Sequence, residues 1–204
     1  MIVGGEFAMA CDPVENCGAK AGRTQFGAAP EVETVSLRRA TVDDAATMAV
    51  VGTATFLEAY TWALPGADIV DFCTQNHTAE SYARYLARPD TRITLAVTGQ
   101  DAPVGYAMIC APDLEGFELR EGDTELKRIY LFSRFRPGGN GQRLLDAALA
   151  DARELGCRRM LLGTNAGNAR AIAFYRRNGF MEVGTRTFVV GVQHCCDAIF
   201  GREL

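Results

Sequence analysis

The sequence predicts a mixed α/β domain organised around one sheet. Three observations carry that expectation. Strand-like runs alternate with segments whose apolar residues recur at helical spacing, in the order β-α-α-β-β-β-α-β-α-β-β. Hydrophobic residues make up 48% and charged residues 23% of the 204 residues, a globular balance with enough apolar side chains to fill a core. Two short apolar strands also run into helices through small-residue junctions, at "RFRPGGNGQRLL" (Arg134–Leu145) and "NAGNARAIAFYRRNGF" (Asn165–Phe180).

Residues 1–30 mix Gly, Ala, Cys and isolated charges without a period, and read as a flexible N-terminal extension. Residues 31–204 read as a single domain. "VETVSLRRA" is its first strand. "TVDDAATMAVVGTATFLEAY" is a helix, opened by a Thr41–Asp44 capping box, with Ala45, Met48, Ala49 and Phe56 near one face. Pro65 and Gly66 break the chain, and "TAESYARYLAR" is a second helical piece that stops before Pro89. "RITLAVTGQDAPVGYAMICA" is a hairpin turning at Gly99 and Asp101. "DTELKRIYLF" is a further strand. "NGQRLLDAALADAREL" has Leu144, Leu145, Ala148, Leu149, Ala152 and Leu155 at helical spacing, and Gly156 stops it. "RRMLLGT" is a short apolar strand. "NARAIAFYRRNGF" is a helix that starts at Asn168 and ends at Gly179. "EVGTRTFVVG" and "CCDAIFGREL" are the last strands.

Composition excludes several classes. A net charge of −4 is not that of a general nucleic-acid binder; it is compatible with a cationic partner. The seven cysteines are irregularly spaced and form no C-x-x-C, which argues against zinc ribbons and disulfide scaffolds. They read as reduced thiols in a cytoplasmic protein. His194 precedes Cys195, Cys196 and Asp197, but no second cluster has ligand spacing, so no metal site is expected. His77, beside Thr78 at a helix start, reads as surface. No apolar run reaches the ~18 residues of a membrane span, and "MIVGGEFAMA" has no basic residue before its apolar stretch.

The first junction has the makings of an anion site. The first turn of a helix carries amide N–H groups without intrahelical partners, and the helix dipole adds partial positive charge there. Glycines at 138, 139 and 141 would let phosphate oxygens reach those amides, with Arg136 and Arg143 adding charge-assisted contacts. The alternative is a glycine-rich turn with no ligand. A Walker A loop is excluded because Gly141 is followed by Gln142 and Arg143. A dinucleotide fingerprint is excluded because Leu144 stands where its last glycine belongs.

Residues 136–141 spell R-x-x-G-x-G and are followed by Leu144-Leu145. Residues 168–180 spell N-x-x-A-x-x-F-Y-x-x-x-G-F. Together, separated by one helix and one strand, these motifs resemble the GNAT superfamily of acyl-CoA-dependent N-acetyltransferases. "ELKRIYLF", "FYRRNGFMEVGTRTFVVG", the late Asp197, "FLEAY" and "PVGYAMI" are similar to a bacterial subgroup that includes polyamine (spermidine/spermine) acetyltransferase-like enzymes. The resemblance implies a mostly antiparallel central sheet with helices on both faces, splayed between the fourth and fifth strands.

It also implies residue roles. The loop from Arg136 through Gly138, Gly139, Asn140, Gly141 and Gln142 would cradle the coenzyme A pyrophosphate. The pantetheine arm would lie between the strands at 125–132 and 158–164, pairing with backbone groups near Tyr130, Leu131 and Phe132. The Leu131 amide would donate to the thioester carbonyl and stabilise the oxyanion. Asn168 would touch the pantetheine arm; it is equally a helix N-cap. Tyr175 would protonate the departing thiolate, and is otherwise a packed helix aromatic. Glu125 would take the proton from the substrate ammonium, directly or through water; otherwise it is an exposed strand charge. Pro137 and Asn140 depart from the family pattern, and Pro137 removes one N–H donor from the loop.

The function expected is acetyl transfer from acetyl-CoA, as co-substrate, to a primary amine of a small cationic acceptor. No nucleophilic Ser or Cys motif is present, so direct attack in a ternary complex is expected in place of an acyl-enzyme. The first helices, with Phe56, Glu58, Tyr60 and Trp62, and the last strand pair would build the acceptor side. The alternatives are a protein or peptide amine as acceptor, or a non-catalytic acyl-CoA-binding sensor. A homodimer fits the resemblance.

Overall fold

The computed structural model describes residues 34–190 and 193–204. The predicted extension over 1–30 lies outside the described residues. Seven strands form one sheet in the order β1-β2-β3-β4-β5-β7-β6. In chain order the elements are β1 (Ser36–Arg39), α1 (Ala45–Tyr60), α2 (Gly66–Asn76), α3 (Ala79–Leu86), β2 (Arg92–Val97), β3 (Pro103–Cys110), β4 (Asp123–Leu131), α4 (Asn140–Glu154), β5 (Arg159–Asn165), α5 (Ala169–Arg177), β6 (Met181–Val190) and β7 (Gln193–Glu203).

Every strand pair is antiparallel except β4 with β5. That parallel pair is short: only Asp123–Glu125 register against Arg159–Leu161. The rest of β4 turns away from β5 and opens the splay the sequence predicts. A bulge contributes. Met108 on β3 stands opposite Arg128 and Ile109 opposite Leu126, which leaves Lys127 as the extra residue. Such an extra residue bends its strand and re-aims the side chains around it.

Helices cover both faces. Leu144, Leu145, Ala148, Leu149 and Ala152 of α4 are buried against Ala107, Ile109, Leu126 and Leu162 of the sheet. Each leucine so buried is worth about 1.5–3 kcal/mol. Ile172, Phe174 and Tyr175 of α5 join the same core. On the other face Met48 and Val51 of α1 and Tyr82 of α3 pack on Ile93, Leu95, Tyr106 and Met108.

Three local expectations are revised. A helix, α2, follows Pro65–Gly66, where the sequence reads as a break. Pro65 stands at its N-cap, where no amide is needed, and the Pro65 carbonyl accepts from the Ile69 amide at 3.1 Å. The capping pair Thr41–Asp44 forms, with the Thr41 amide on Asp44 Oδ2 at 2.8 Å, but it opens a 3-10 turn ahead of α1. His77 is not at the surface; it is 4% exposed, with Nδ1 2.8 Å from the Tyr82 hydroxyl. Among the described residues no helix is long and apolar enough to cross a membrane.

Candidate active site

A cleft of about 680 Å³ runs along the splay. The C-terminal end of α1 and the segment after it supply one wall, with Glu58, Tyr60 and Trp62. β4 supplies the floor from Leu126 to Leu131. The far wall comes from the ends of β5 and α5 and from Arg186 and Asp197 of the last two strands.

The loop after β4 is held open by its glycines. Gly138 and Gly139 have φ values of 82° and 79°, a left-handed backbone that side chains rarely adopt. A Cβ on Gly138, Gly139 or Gly141 would meet nothing within 4 Å, so the main chain there faces open space. α4 begins at Asn140, and its first-turn amides lie beside Gly139, Gly141 and Gln142, all of which line the cleft. Two expected loop side chains turn elsewhere. Asn140 Nδ2 donates to the Phe135 carbonyl at 3.0 Å. Arg143 donates to the Val35 carbonyl at 2.8 Å and to Asn140 Oδ1 at 2.9 Å. Asn140, Gly138 and Arg143 are not among the cleft-lining residues. Arg136 is, with Nε on the Leu131 carbonyl at 3.1 Å and a guanidinium nitrogen 3.6 Å from Glu58. Glu58 also accepts from the Ser133 amide at 3.0 Å and from its hydroxyl at 3.0 Å, and so pins the start of the loop to α1.

Strand geometry sorts the three β4 residues. The Phe132 amide donates to the Val104 carbonyl of β3 at 3.0 Å. Successive amides of a strand point to opposite edges, so the Leu131 amide faces the splay. The Leu131 carbonyl, already met by Arg136, points the same way. The Phe132 amide is thus engaged by β3, and its half-buried ring packs against the core. Tyr130 lines the cleft with its half-buried ring, 6.5 Å from the Tyr60 ring and 5.9 Å from the Tyr106 ring.

From α5, Asn168 combines both expected positions. Its Oδ1 caps the helix by accepting from the Ala171 amide at 3.1 Å, and the residue lines the cleft. Tyr175 is 8% exposed, packed among Phe174, Phe180 and Phe200, and also lines the cleft. Burial pushes its phenol above the ordinary value, with Tyr60 adding to the effect. The hydroxyl therefore holds its proton at neutral pH, the state an acid must start from.

Glu125 is placed elsewhere. It is 2% exposed, on the part of β4 that still pairs with β5, opposite Leu161. Its carboxylate accepts from the Asp113 amide at 2.9 Å and lies 3.6 Å from Lys127 Nζ. It is neither an exposed strand charge nor one of the cleft-lining residues.

The last strand pair, expected on the acceptor side, brings a charged pair into the cleft. Arg186 of β6 and Asp197 of β7 stand directly opposite in register, with Nη2 3.4 Å from Oδ2. Arg186 lies over Gly163 of β5, where a Cβ would come within 2.7 Å of Nη2. Burial pushes the Asp197 carboxyl above its ordinary value, and Arg186 only partly opposes it.

A seven-stranded sheet splayed at its one parallel pair, with an amide-lined helix start at the mouth of the splay, defines a class of acyl-carrier-binding transferases. Residues 49–180 match the model of the acetyltransferase (GNAT) family, and the chain belongs to that family. It is 35% identical, over 161 residues, to an uncharacterized N-acetyltransferase of Mycobacterium tuberculosis; the match covers 79% of this chain and 98% of that protein. Among solved structures it is similar to the PaiA N-acetyltransferase of Thermoplasma acidophilum in complex with coenzyme A. That match has a TM-score of 0.68 at 18% identity, over 84% of this chain and 99% of the other. It is also similar to the ribosomal-protein-alanine N-acetyltransferase of Brucella melitensis, with a TM-score of 0.63 at 26% identity over 83% of this chain and 99% of the other. The protein is accordingly an acetyltransferase that uses a coenzyme A thioester.

Proposed function

We propose that the protein transfers acetyl from acetyl-CoA to a primary amine of a small cationic acceptor, by direct attack in a ternary complex. The observation that carries this reading is the continuity of one cleft. It joins the glycine loop and α4 start to Tyr60 and Trp62 on the opposite wall, and Tyr175 lines the same space.

In this reading the amides from Gly139 to Gln142 bind the diphosphate, and Arg136 supplies charge beside them. The Leu131 amide meets the thioester carbonyl, where an N–H donor held in place stabilises the oxyanion that forms on attack. Asn168 uses Oδ1 as the helix cap and turns its Nδ2 to the pantetheine arm. Tyr175 returns a proton to the departing sulfur; burial keeps its phenol protonated until the thiolate forms. Glu125 acts at one remove, by holding Lys127 at the bulge. The aromatic rings of Tyr60 and Trp62 suit a cationic amine on the acceptor side.

The test is an acceptor panel. Free thiol release from acetyl-CoA is followed with polyamines, amino acids, aminoglycosides and an alanine-terminated peptide. Turnover with one of the small amines, at least tenfold above the peptide, is the expected result. Preference for the peptide would replace the acceptor class. Coenzyme A binding with no turnover on any amine would replace the enzyme by a sensor.

A further inference from the structure

We propose that Asp197 is a further catalytic residue, which receives the acceptor's ammonium in the cleft and takes the proton that must leave before attack, and that Arg186 is its positioning residue. The proposal rests on the acetyl-transfer reading above.

Four observations carry it. Asp197 lines the cleft that also holds Tyr175 and the end of β5, and its cross-strand partner on β5 is Asn165. It is 5% exposed, so its charge acts with little screening. Among the described residues a single hydrogen bond reaches its carboxylate, from Arg186 to Oδ2, and that bond is long at 3.4 Å. A buried carboxylate ordinarily collects two or three donors, so Oδ1 remains an acceptor for an incoming N–H. Finally, the pair is built into the wall. Arg186 can reach Asp197 only across a bare main chain at Gly163, and Arg186 Nη1 is fixed by the Asp113 carbonyl at 3.3 Å. That arrangement fixes the carboxylate in the cleft wall.

The charged and titratable groups that share the cleft with Asp197 are Glu58 and Tyr60 on α1, Lys127, Arg128 and Tyr130 on β4, Arg136 on the loop after it, Arg170, Tyr175 and Arg177 on α5, and Arg186 on β6. Of these, Arg186 is the one whose charge acts on the carboxyl, and it lowers the pKa less than burial raises it. A carboxylate so poised can take a proton from an ammonium and pass it to water. Glu125 lacks the matching access, because its carboxylate sits on the Asp113 amide and Lys127.

The step balances. The ammonium gives one proton to the Asp197 carboxylate, and the neutral nitrogen forms its bond to the thioester carbonyl carbon. The tetrahedral adduct collapses as the carbon–sulfur bond breaks. Tyr175 protonates the thiolate, and the second nitrogen proton passes through water to the phenolate and restores it. Asp197 releases its proton to solvent, so one proton is set free for each amide formed.

The experiment compares kcat/KM against pH for the wild type, Asp197→Asn, Asp197→Glu and Glu125→Gln, using the panel amine with the highest turnover. Coenzyme A affinity is measured by calorimetry and the thermal midpoint is recorded for each variant. Asp197→Asn is expected to lower kcat/KM about a hundredfold near neutral pH and to displace the acid limb upward to the pKa of the acceptor amine itself. Its coenzyme A affinity stays within about twofold, because Asp197 does not touch the diphosphate. Asp197→Glu keeps an acid limb, and so does Glu125→Gln. An acid limb in Asp197→Asn that coincides with that of the wild type, or a limb displaced to the amine's own pKa in Glu125→Gln, overturns the proposal. If Asp197→Asn fails to fold, Asp197→Glu decides: an acid limb displaced from that of the wild type supports the proposal, and an identical one overturns it. A wild type that binds coenzyme A but acetylates no amine sinks the functional reading first, and this proposal with it.

Discussion

Arg136 Nε donates to the main-chain carbonyl of Leu131 at 3.1 Å, which ties the loop ahead of α4 to the last residue of β4. The same guanidinium lies 3.6 Å from Glu58, so one side chain joins loop, strand and α1. Arg136→Ala removes a cation from the cleft and a donor from the strand end. Coenzyme A affinity should fall about tenfold, or roughly 1.4 kcal/mol, in a calorimetric titration. Arg136→Lys should recover only part, because an ammonium cannot present the guanidinium's fixed set of donors. An unchanged Kd in Arg136→Ala removes this residue from the site.

Gly139 and Gly141 differ in what they ask of the chain. Gly139 has φ 79°, where a side chain costs about 1–2 kcal/mol in strain, whereas Gly141 lies inside the first turn of α4 with no neighbour within 4 Å of a Cβ. Gly141→Ala should therefore raise stability slightly, by about 0.5–1 kcal/mol, because alanine is the better helix former. It should weaken coenzyme A binding all the same, by crowding the amides. Gly139→Val should lose both stability and binding. Chemical denaturation paired with calorimetry separates the two effects; intact binding in both variants would mean that no ligand approaches this main chain.

Tyr175→Phe keeps the ring among Phe174, Phe180 and Phe200 and removes only the hydroxyl. Turnover should drop about a hundredfold while coenzyme A affinity holds, the signature of a group needed in the transition state alone. Wild-type turnover in this variant would leave Tyr175 as packing.

His77 makes acid stability a local property. Burial, and then the charge of Arg128, push its imidazole from the ordinary 6.5 down to about 3. Between those values the unfolded chain binds a proton that the folded chain refuses, so stability is full above pH 6.5 and is lost as pH falls toward 3. The loss approaches about 1.4 kcal/mol per pH unit at its steepest. Urea midpoints across that window should fall in the wild type and fall less in His77→Gln, which keeps a polar partner for Tyr82. Parallel curves for the two proteins would show that carboxylates alone set the acid limit.

Much of this fold is legible in the sequence, for physical reasons. The leucines of α4 recur at helical spacing over four turns, and glycines close both α4 and α5, so those helices and their flanking strands declare themselves. α2 does not, because Pro65–Gly66 reads as a break although a proline at a helix start sacrifices no hydrogen bond. His77 looks like surface beside Thr78, yet the Tyr82 hydroxyl that draws it inward comes from the next helix turn. That Gly139 and Leu131 share a cleft was legible, because the strand–glycine–helix junction fixes where the main chain runs. The site was less legible where it depends on which way a strand faces. The extra residue at Lys127 changes the register of β4 against β3, and no residue pattern marks it. The Arg186–Asp197 pair follows from the pairing of Val190 with Gln193, a register that the apolar run through the hairpin does not specify.

The central claim is that the main chain from Gly139 to Gln142 grips the diphosphate of a coenzyme A thioester whose acyl group lies along β4. A crystal structure of the protein with coenzyme A tests it most directly. The account predicts diphosphate oxygens about 3 Å from those amides, with the pantetheine arm in the splay beside the Leu131 amide. Coenzyme A bound in any other groove, with the α4 start left to water, would contradict it.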